Sequence, residues 1–477
     1  MKSNLFENRF DPSDTLTFLK IERGGIAKRD SNKRRFDFRE VYRDATGDDL
    51  SQQSGRCLDC GNPYCEWKCP LHNYIPNWLE MVAKGQYQQA AELMHETNPL
   101  PEICGRVCPQ DRLCEQACTL NTGFGAVTIG AIEKNISDRA LANNWRPDLS
   151  KVKATGKTVA IVGAGPAGLG CAELLARNGV KPVVFDRYPE IGGLLTFGIP
   201  EFKLEKEILR KRRQFLEDIG VVFHLNTDIG KDVKIESLQK DYDAVFLGMG
   251  TYTPNDGDLK GRDTAGVLKS LDYLIGNVNH NQAYEMPNYP YTNLKDKQVI
   301  VLGGGDTAMD CVRSAVRQQA SSVTCVYRGS EADMPGSRQE VQNAKEEGVE
   351  FVFNLQPTEI QGTDERLNGV AFKATGTHKK AADEVFIEAD NVIIAFGFKA
   401  SPAKWFEKLG IKQDQWGRVT TLDKPAACND HSLPYSQQTH TEGVYAGGDM
   451  VRGADLVVTA IAEGRQAAHE IMDWLEI

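Results

Sequence analysis

The sequence predicts an α/β fold, two Rossmann-like units preceded by a small all-α unit, and three observations predict it. The order strand, glycine loop, helix, strand runs over 158–186 and again over 298–328. Eight of the twelve cysteines fall between Cys57 and Cys118, where helical spacing at Trp78–Val82 and Ala90–Met94 is interrupted by Pro63, Pro70, Pro76, Pro99, Pro101 and Pro109. A length of 477 residues accommodates about three domains of roughly 150 residues. The net charge of −10 argues against nucleic-acid binding, because neutralising phosphates needs a basic surface. The most apolar stretch, 159–176, is broken by Gly163, Gly165, Pro166, Gly168 and Glu173 and does not read as a membrane span.

The first unit is read from its thiols, which form two runs: Cys57, Cys60, Cys65 and Cys69, then Cys104, Cys108, Cys114 and Cys118. A disulfide framework suits a short secreted chain, and no apolar signal segment follows Met1-Lys2. The density therefore indicates metal or iron–sulfur ligation. Structural zinc is the rival reading, since Cys-x-x-Cys pairs also hold zinc. Cys69-Pro70 and Cys108-Pro109 favour iron–sulfur, because a cysteine followed by proline closes ferredoxin-type runs. Cys65/Cys69 and Cys114/Cys118 are each four apart, which on a helix puts both sulfurs on one face. The basic run Lys28, Arg29, Lys33, Arg34, Arg35 reads as a solvated face or a partner contact. Trp145 to Gly156 reads as a linker.

The second unit opens with the strand Thr158–Val162, followed by Gly163-Ala164-Gly165-Pro166-Ala167-Gly168 and a helix. The first glycine allows the tight turn, the second lets a pyrophosphate approach the backbone, and the third lets helix and strand pack closely. A second strand ends in Asp186, placed to accept from a ribose hydroxyl. The pattern returns as Gln298–Leu302, Gly303-Gly304-Gly305-Asp306-Thr307-Ala308, a helix, and Ser322–Tyr327 ending in Arg328. An arginine at that position suits a 2′-phosphate, hence NADP. Gly192-Gly193-Leu194 and Ala446-Gly447-Gly448-Asp449 add flavin-facing features, Asp449 being placed to bond ribityl hydroxyls. Two dinucleotide folds imply FAD and NADPH. Flavin-facing segments on both sides of the second loop make the NADPH unit an insertion in the FAD unit.

These residues, with Phe18-Leu19-Lys20, Met334-Pro335-Gly336-Ser337-Arg338 and Ala454 to Arg465, resemble the small (β) subunits of bacterial glutamate synthases. That family sits within a wider set including the N-terminal parts of dihydropyrimidine dehydrogenase and NADH-dependent ferredoxin–NADP oxidoreductases. The resemblance implies a glutathione-reductase-like pair of nucleotide domains behind a domain holding two 4Fe–4S clusters. The expected boundaries are 1–153 for the cluster domain, 154–265 and 398–477 for the FAD domain, and 266–397 for the NADPH domain. It implies Cys57, Cys60, Cys65 and Cys118 at one cluster, and Cys69, Cys108, Cys114 and Glu133 at the other, with Cys104 spare; were Cys104 a ligand, Glu133 would lose that role. It places Gly163, Gly165, Pro166, Ala167, Gly168, Asp186, Gly193, Leu194, Lys203, Gly448 and Asp449 at FAD. It places Gly303, Gly305, Asp306, Thr307, Arg328, Arg338, Ala395 and Gly397 at NADPH. The family often has two consecutive arginines where this chain has Arg328-Gly329, so preference for NADPH is expected to be weaker unless Arg338 compensates.

The implied activity is electron input: NADPH reduces FAD, and electrons pass through the clusters to the FMN of a large subunit that makes glutamate from 2-oxoglutarate and glutamine. The protein contributes orientation rather than acid–base groups. A ferredoxin reductase or related flavin/iron–sulfur reductase with another partner remains open, as does a zinc module beside a vestigial reductase. Cys171, Cys311 and Cys325 form no Cys-x-x-Cys pair and read as small packed residues, which disfavours a disulfide exit for electrons. A cytoplasmic location is expected.

Overall fold

The computed structural model describes residues 11–25, 27–363, 366–375, 384–423 and 435–477. Cys428 and its reading lie outside them. The chain forms two compact units. One comprises the described residues up to Ala27 with Tyr42–Lys151 and Leu456–Ala462, and the other comprises Lys28–Val41, Val152–Asp455 and Glu463–Ile477.

The first unit is helical. Its longer helices are Gly47–Ser54, Ile75–Ala83, Tyr87–Thr97, Pro101–Val107 and Ile129–Ala142. Thr46 and Asp49 cap the first of these reciprocally, satisfying two otherwise orphaned N–H groups. Pro76 and Pro101 stand in the first turns of their helices, where a missing N–H costs nothing. Trp78, Leu79, Val82, Ala90, Met94, Ile132 and Ile136 form the core, and Cys57, Cys65, Cys69, Cys114 and Cys118 pack against it.

Among the described residues the second unit contains two large sheets and two small antiparallel ones. A seven-stranded sheet runs in the order Thr421–Asp423, Tyr435–Thr439, Val444–Ala446, Ala244–Leu247, Thr158–Val162, Lys181–Phe185, Val222–His224. The last five of these strands are parallel, and their fully apolar inner positions match a sheet covered on both faces. A five-stranded, wholly parallel sheet runs Val267–Lys269, Asn391–Ile394, Gln298–Leu302, Ser322–Tyr327, Glu350–Phe353. An antiparallel ribbon of three strands, Leu355–Gly362, Leu367–Ala374 and Glu384–Glu388, lies between its last two strands in sequence. The chain thus leaves the first sheet after Leu247, completes the second, and returns.

Arg34 departs from the basic run's reading as a solvated face or a partner contact, while Lys33 is exposed. Arg34 is 1 % exposed, and its Nε donates to Oε1 of Glu347 at 2.9 Å. Glu347, itself fully buried, also accepts from Arg313 at 2.9 Å and Arg317 at 2.7 Å. The Phe202 ring lies 4.4 Å from the Arg313 guanidinium and 3.9 Å from that of Arg317. One carboxylate shared by three arginines explains why Arg34 goes inside: a buried charge is tolerated when it is paired and hydrogen-bonded.

Candidate functional site

The first glycine loop is packed too closely for side chains. Gly163 has φ +107°, and a Cβ there would lie 2.4 Å from the Gly248 carbonyl oxygen. A Cβ on Gly168 would lie 1.9 Å from the Gly163 carbonyl oxygen and 3.2 Å from Ile161. Pro166 and Ala167 open the helix Pro166–Arg177, whose first free N–H groups face the loop. Gly165 is different: only Gly248 O comes within 4 Å of its Cβ position, at 4.0 Å, so space remains beside its backbone.

Gly193 and Leu194 meet this loop from the side. Gly192 N donates to Ala164 O at 2.7 Å, and a Cβ on Gly193 would stand 3.2 Å from Gly165 Cα. Asp186 accepts from Ala164 N at 2.7 Å and Tyr188 N at 2.8 Å, so its carboxylate also braces the loop it was expected to serve. Burial raises its pKa while those N–H groups oppose the rise. Gly448 has φ +77° and begins the short helix Asp449–Arg452; its N–H donates to Glu463 at 2.5 Å. Among the described residues the only hydrogen bond to the Asp449 carboxylate is a long one from Asp455 N, 3.4 Å. Burial, with Asp455 and Glu463 nearby, pushes it up to about 7. A half-buried, under-satisfied carboxylate beside a glycine turn fits a hydroxylated ligand such as a ribityl chain. Lys203 is tied elsewhere: its Nζ pairs with Asp310 at 2.9 Å and Glu340 at 3.7 Å, on the helices of the second glycine loop.

The second loop repeats the cradle. Gly303 has φ +140°, with Ala395 O at 2.4 Å from its Cβ position, while nothing lies within 4 Å of the Cβ positions on Gly305 and Gly397. Asp306 and Thr307 begin the helix Asp306–Arg317. The Met334–Arg338 string folds over this loop: Gly336 N donates to Gly304 O at 3.0 Å and Ser337 N to Asp306 Oδ1 at 2.9 Å. Arg338 then starts the helix Arg338–Glu346. Both Arg328 and Arg338 are exposed, and neither side chain has an ion-pair partner among the described residues. Two unpaired guanidinium groups flanking a glycine cradle suit a nucleotide with an additional phosphate.

The cysteines divide into two groups. Cys57, Cys60, Cys65 and Cys118 line one pocket with Tyr64, Pro76, Leu79, Val127 and Ile129. Cys69, Cys108 and Cys114 lie within electrostatic reach of Glu133 instead. The four-residue spacing therefore does not keep its sulfurs together. Tyr64–Lys68 and Cys114–Ala117 are only five and four residues long, and Cys69 and Cys118 lie just past their ends in extended backbone, ψ 124° and 130°.

Burial pushes the Cys57, Cys65 and Cys69 thiols up to about 12. Thiols gathered in such numbers become thiolates only beside a cation, so the donor set fits iron clusters. Arg56, fully buried next to Cys57, gives its donors to the carbonyls of Ile21, Phe124, Gly125 and Ala126. Glu133 accepts from Asn98 and Asn73, while Cys104 is 2 % exposed and donates to Asn98 Oδ1 at 3.8 Å. Asn73, Asn98 and Arg56 carried no motif and were missed in the sequence. Among the described residues no three His, Cys, Asp or Glu side chains are grouped to hold one metal ion. Cys171, Cys311 and Cys325 are fully buried, as expected of packing residues.

Two families match. Residues 34–145 match dihydropyrimidine dehydrogenase domain II, 4Fe-4S cluster, and residues 157–464 match pyridine nucleotide-disulphide oxidoreductase. The chain is 55 % identical over 471 residues to the glutamate synthase (NADPH) small chain of Halomonas elongata, covering 96 % of this chain and 98 % of that one. It is 52 % identical to that of Escherichia coli, with the same coverage. It is also 50 % identical to the putative oxidoreductase AegA of Escherichia coli, over 93 % of this chain and 68 % of that protein. Mycobacterium tuberculosis FprA in complex with NADPH shares the fold with a TM-score of 0.53 at 15 % identity, over 67 % of this chain and 85 % of that one. T. acidophilum thioredoxin reductase does so with a TM-score of 0.50 at 22 % identity, over 67 % of this chain and 98 % of that one.

Proposed function

The chain belongs to the family of glutamate synthase (NADPH) small chains, and on that premise we propose that it is the electron-input subunit of such an enzyme. It oxidises NADPH and delivers the electrons to a large subunit carrying FMN, where 2-oxoglutarate and glutamine become glutamate. Bound FAD supplies a two-electron acceptor that can release electrons singly, and 4Fe–4S clusters supply one-electron carriers. The chain's own residues bind and orient. The Gly163–Gly168 loop and the helix behind it receive the FAD pyrophosphate, Gly193 and Leu194 close over it, and Asp186 and Asp449 accept from its hydroxyls. Gly303, Gly305, Asp306 and Thr307 receive the NADPH pyrophosphate, with Ala395 and Gly397 across the loop and Arg328 and Arg338 on the 2′-phosphate. Lys203 serves by fixing Asp310 rather than through a flavin bond of its own.

We assign two clusters, Cys57, Cys60, Cys65 and Cys118 to one and Cys69, Cys108, Cys114 and Glu133 to the other. The proposed domains are 1–153, 154–265 with 398–477, and 266–397, supported by the membership of the two sheets. A cytoplasmic setting fits a protein fed by NADPH; no helix among the described residues is long and apolar enough to cross a membrane.

The observation that carries the reading is the joint presence of two glycine cradles and two groups of half-buried cysteines in a chain aligned nearly end to end with small chains. The test is glutamate formation from glutamine, 2-oxoglutarate and NADPH with and without the large subunit. Glutamate is expected only with it, and turnover by the chain alone would refute the division of labour. The similarity to AegA favours a second reading, a flavin/iron–sulfur reductase serving another acceptor; failure with cognate large subunits would promote it.

A further inference from the structure

Glu133 sits in the middle of the helix Ile129–Ala142 yet is only 7 % exposed. Its Oε1 accepts from Nδ2 of Asn98 at 2.9 Å and Nδ2 of Asn73 at 3.2 Å. Neither amide can turn over. Asn98 Oδ1 accepts from Leu100 N at 3.0 Å, and Asn73 Oδ1 accepts from Thr97 Oγ1 at 2.9 Å and Trp78 Nε1 at 3.2 Å. A flip would orphan those donors and set a carbonyl oxygen against the carboxylate. Both asparagines are 2 % exposed or less, so no solvent competes. The other carboxylate oxygen, Oε2, accepts no hydrogen bond among the described residues, and Cys69, Cys108 and Cys114 lie within electrostatic reach of the group. Asn73 reaches the same place twice, since its backbone N–H is directed at the Cys69 sulfur.

We propose that Asn73 and Asn98 are positioning residues that grip Glu133 by Oε1, present Oε2 as the one oxygen ligand of the second cluster, and thereby set that cluster's reduction potential. The inference rests on the assignment of Glu133 as a ligand. Outer hydrogen bonds fix a ligand's orientation and draw electron density from it, so they favour the reduced metal. Cys104, whose thiol is engaged with Asn98 Oδ1, then belongs to the grip rather than to the ligand set.

The test uses the full chain purified anaerobically, as wild type, Asn98→Ser, Asn73→Ser and Glu133→Ala. A serine hydroxyl at position 98 can still accept from Leu100 N but is too short to reach Glu133. Each asparagine variant is expected to shift the midpoint potential of one cluster negative, by ~59 mV for a tenfold change in the one-electron equilibrium, leaving the other unmoved. That cluster is expected to lose iron to a chelator about 10–100 times faster. No shift, or equal shifts in both clusters, in whichever asparagine variant folds overturns the positioning role. If Glu133→Ala leaves both potentials and electron-paramagnetic-resonance signals unchanged, the ligand assignment itself fails. If Glu133→Ala alters one cluster and the asparagine variants do not, only the grip fails.

Discussion

A methyl group separates two kinds of glycine in this protein. At Gly168 it would meet a backbone oxygen at 1.9 Å, whereas at Gly305, with φ −89° and ψ 178°, it would meet nothing within 4 Å. Overpacking typically costs ~1–3 kcal/mol, and backbone yields less than side chains. Gly168→Ala is therefore expected to lower the melting temperature and lose flavin, while Gly305→Ala leaves melting unchanged and weakens only nucleotide binding. Thermal melts with flavin absorbance and NADPH titration read both. Arg328 lies at the same cradle. A charge-assisted hydrogen bond to phosphate is worth ~1.5–3 kcal/mol, so Arg328→Ala should weaken NADPH use by about 10- to 100-fold and leave NADH nearly unchanged. Steady-state kinetics with both nucleotides decides, and equal losses would make Arg328 structural. The glycine loops were legible because a cradle must be built from consecutive residues. Asn73 and Asn98 were not, because an asparagine before a proline or a helix also reads as a turn former.

Among the elements, the helices Asp306–Arg317 and Arg338–Glu346 are joined by buried charge. Arg313 donates to Glu340 at 2.6 Å, and Glu347, just past the second helix, takes Arg34, Arg313 and Arg317. Burial alone would raise the Glu347 pKa, but Arg313 and Arg317 overrule it and hold the carboxyl far below the usual range. Removing one partner of a buried pair costs ~3–5 kcal/mol. Glu347→Gln is expected to destabilise the protein by that order in urea. The sign with pH follows: the folded value is depressed, so the contribution is complete above the free glutamate value near 4.3 and erodes as pH falls below it. Wild type should lose stability in acid more steeply than the variant. This cluster was illegible in sequence because Arg34 and Glu347 are 313 positions apart. The four-residue cysteine pairs misled for the opposite reason: the spacing was helical, but the helices stop before it is completed.

For the whole molecule, fold class and insertion were legible because each glycine loop announces its own strand, helix and sheet. The pairing that closes the first sheet was not, since Val444–Ala446 carries too few residues to declare its neighbour. That strand lies parallel to Ala244–Leu247, with the whole second sheet threaded between them in sequence. Time then enters the architecture. As the chain leaves the ribosome, every strand of the five-stranded sheet, Val267 to Ile394, is synthesised before the strand that completes the first one. The inserted sheet can fold at once, while Ala244–Leu247 waits as an open, wholly apolar edge. A chain ending near residue 440 is accordingly expected to yield a protected central fragment on limited proteolysis, no bound flavin, and aggregation through that edge. A soluble, flavin-bearing product of that length would show that the edge needs no late partner. Flavin acquisition is thus expected to wait for Val444–Ala446, made long after the glycine loop it completes.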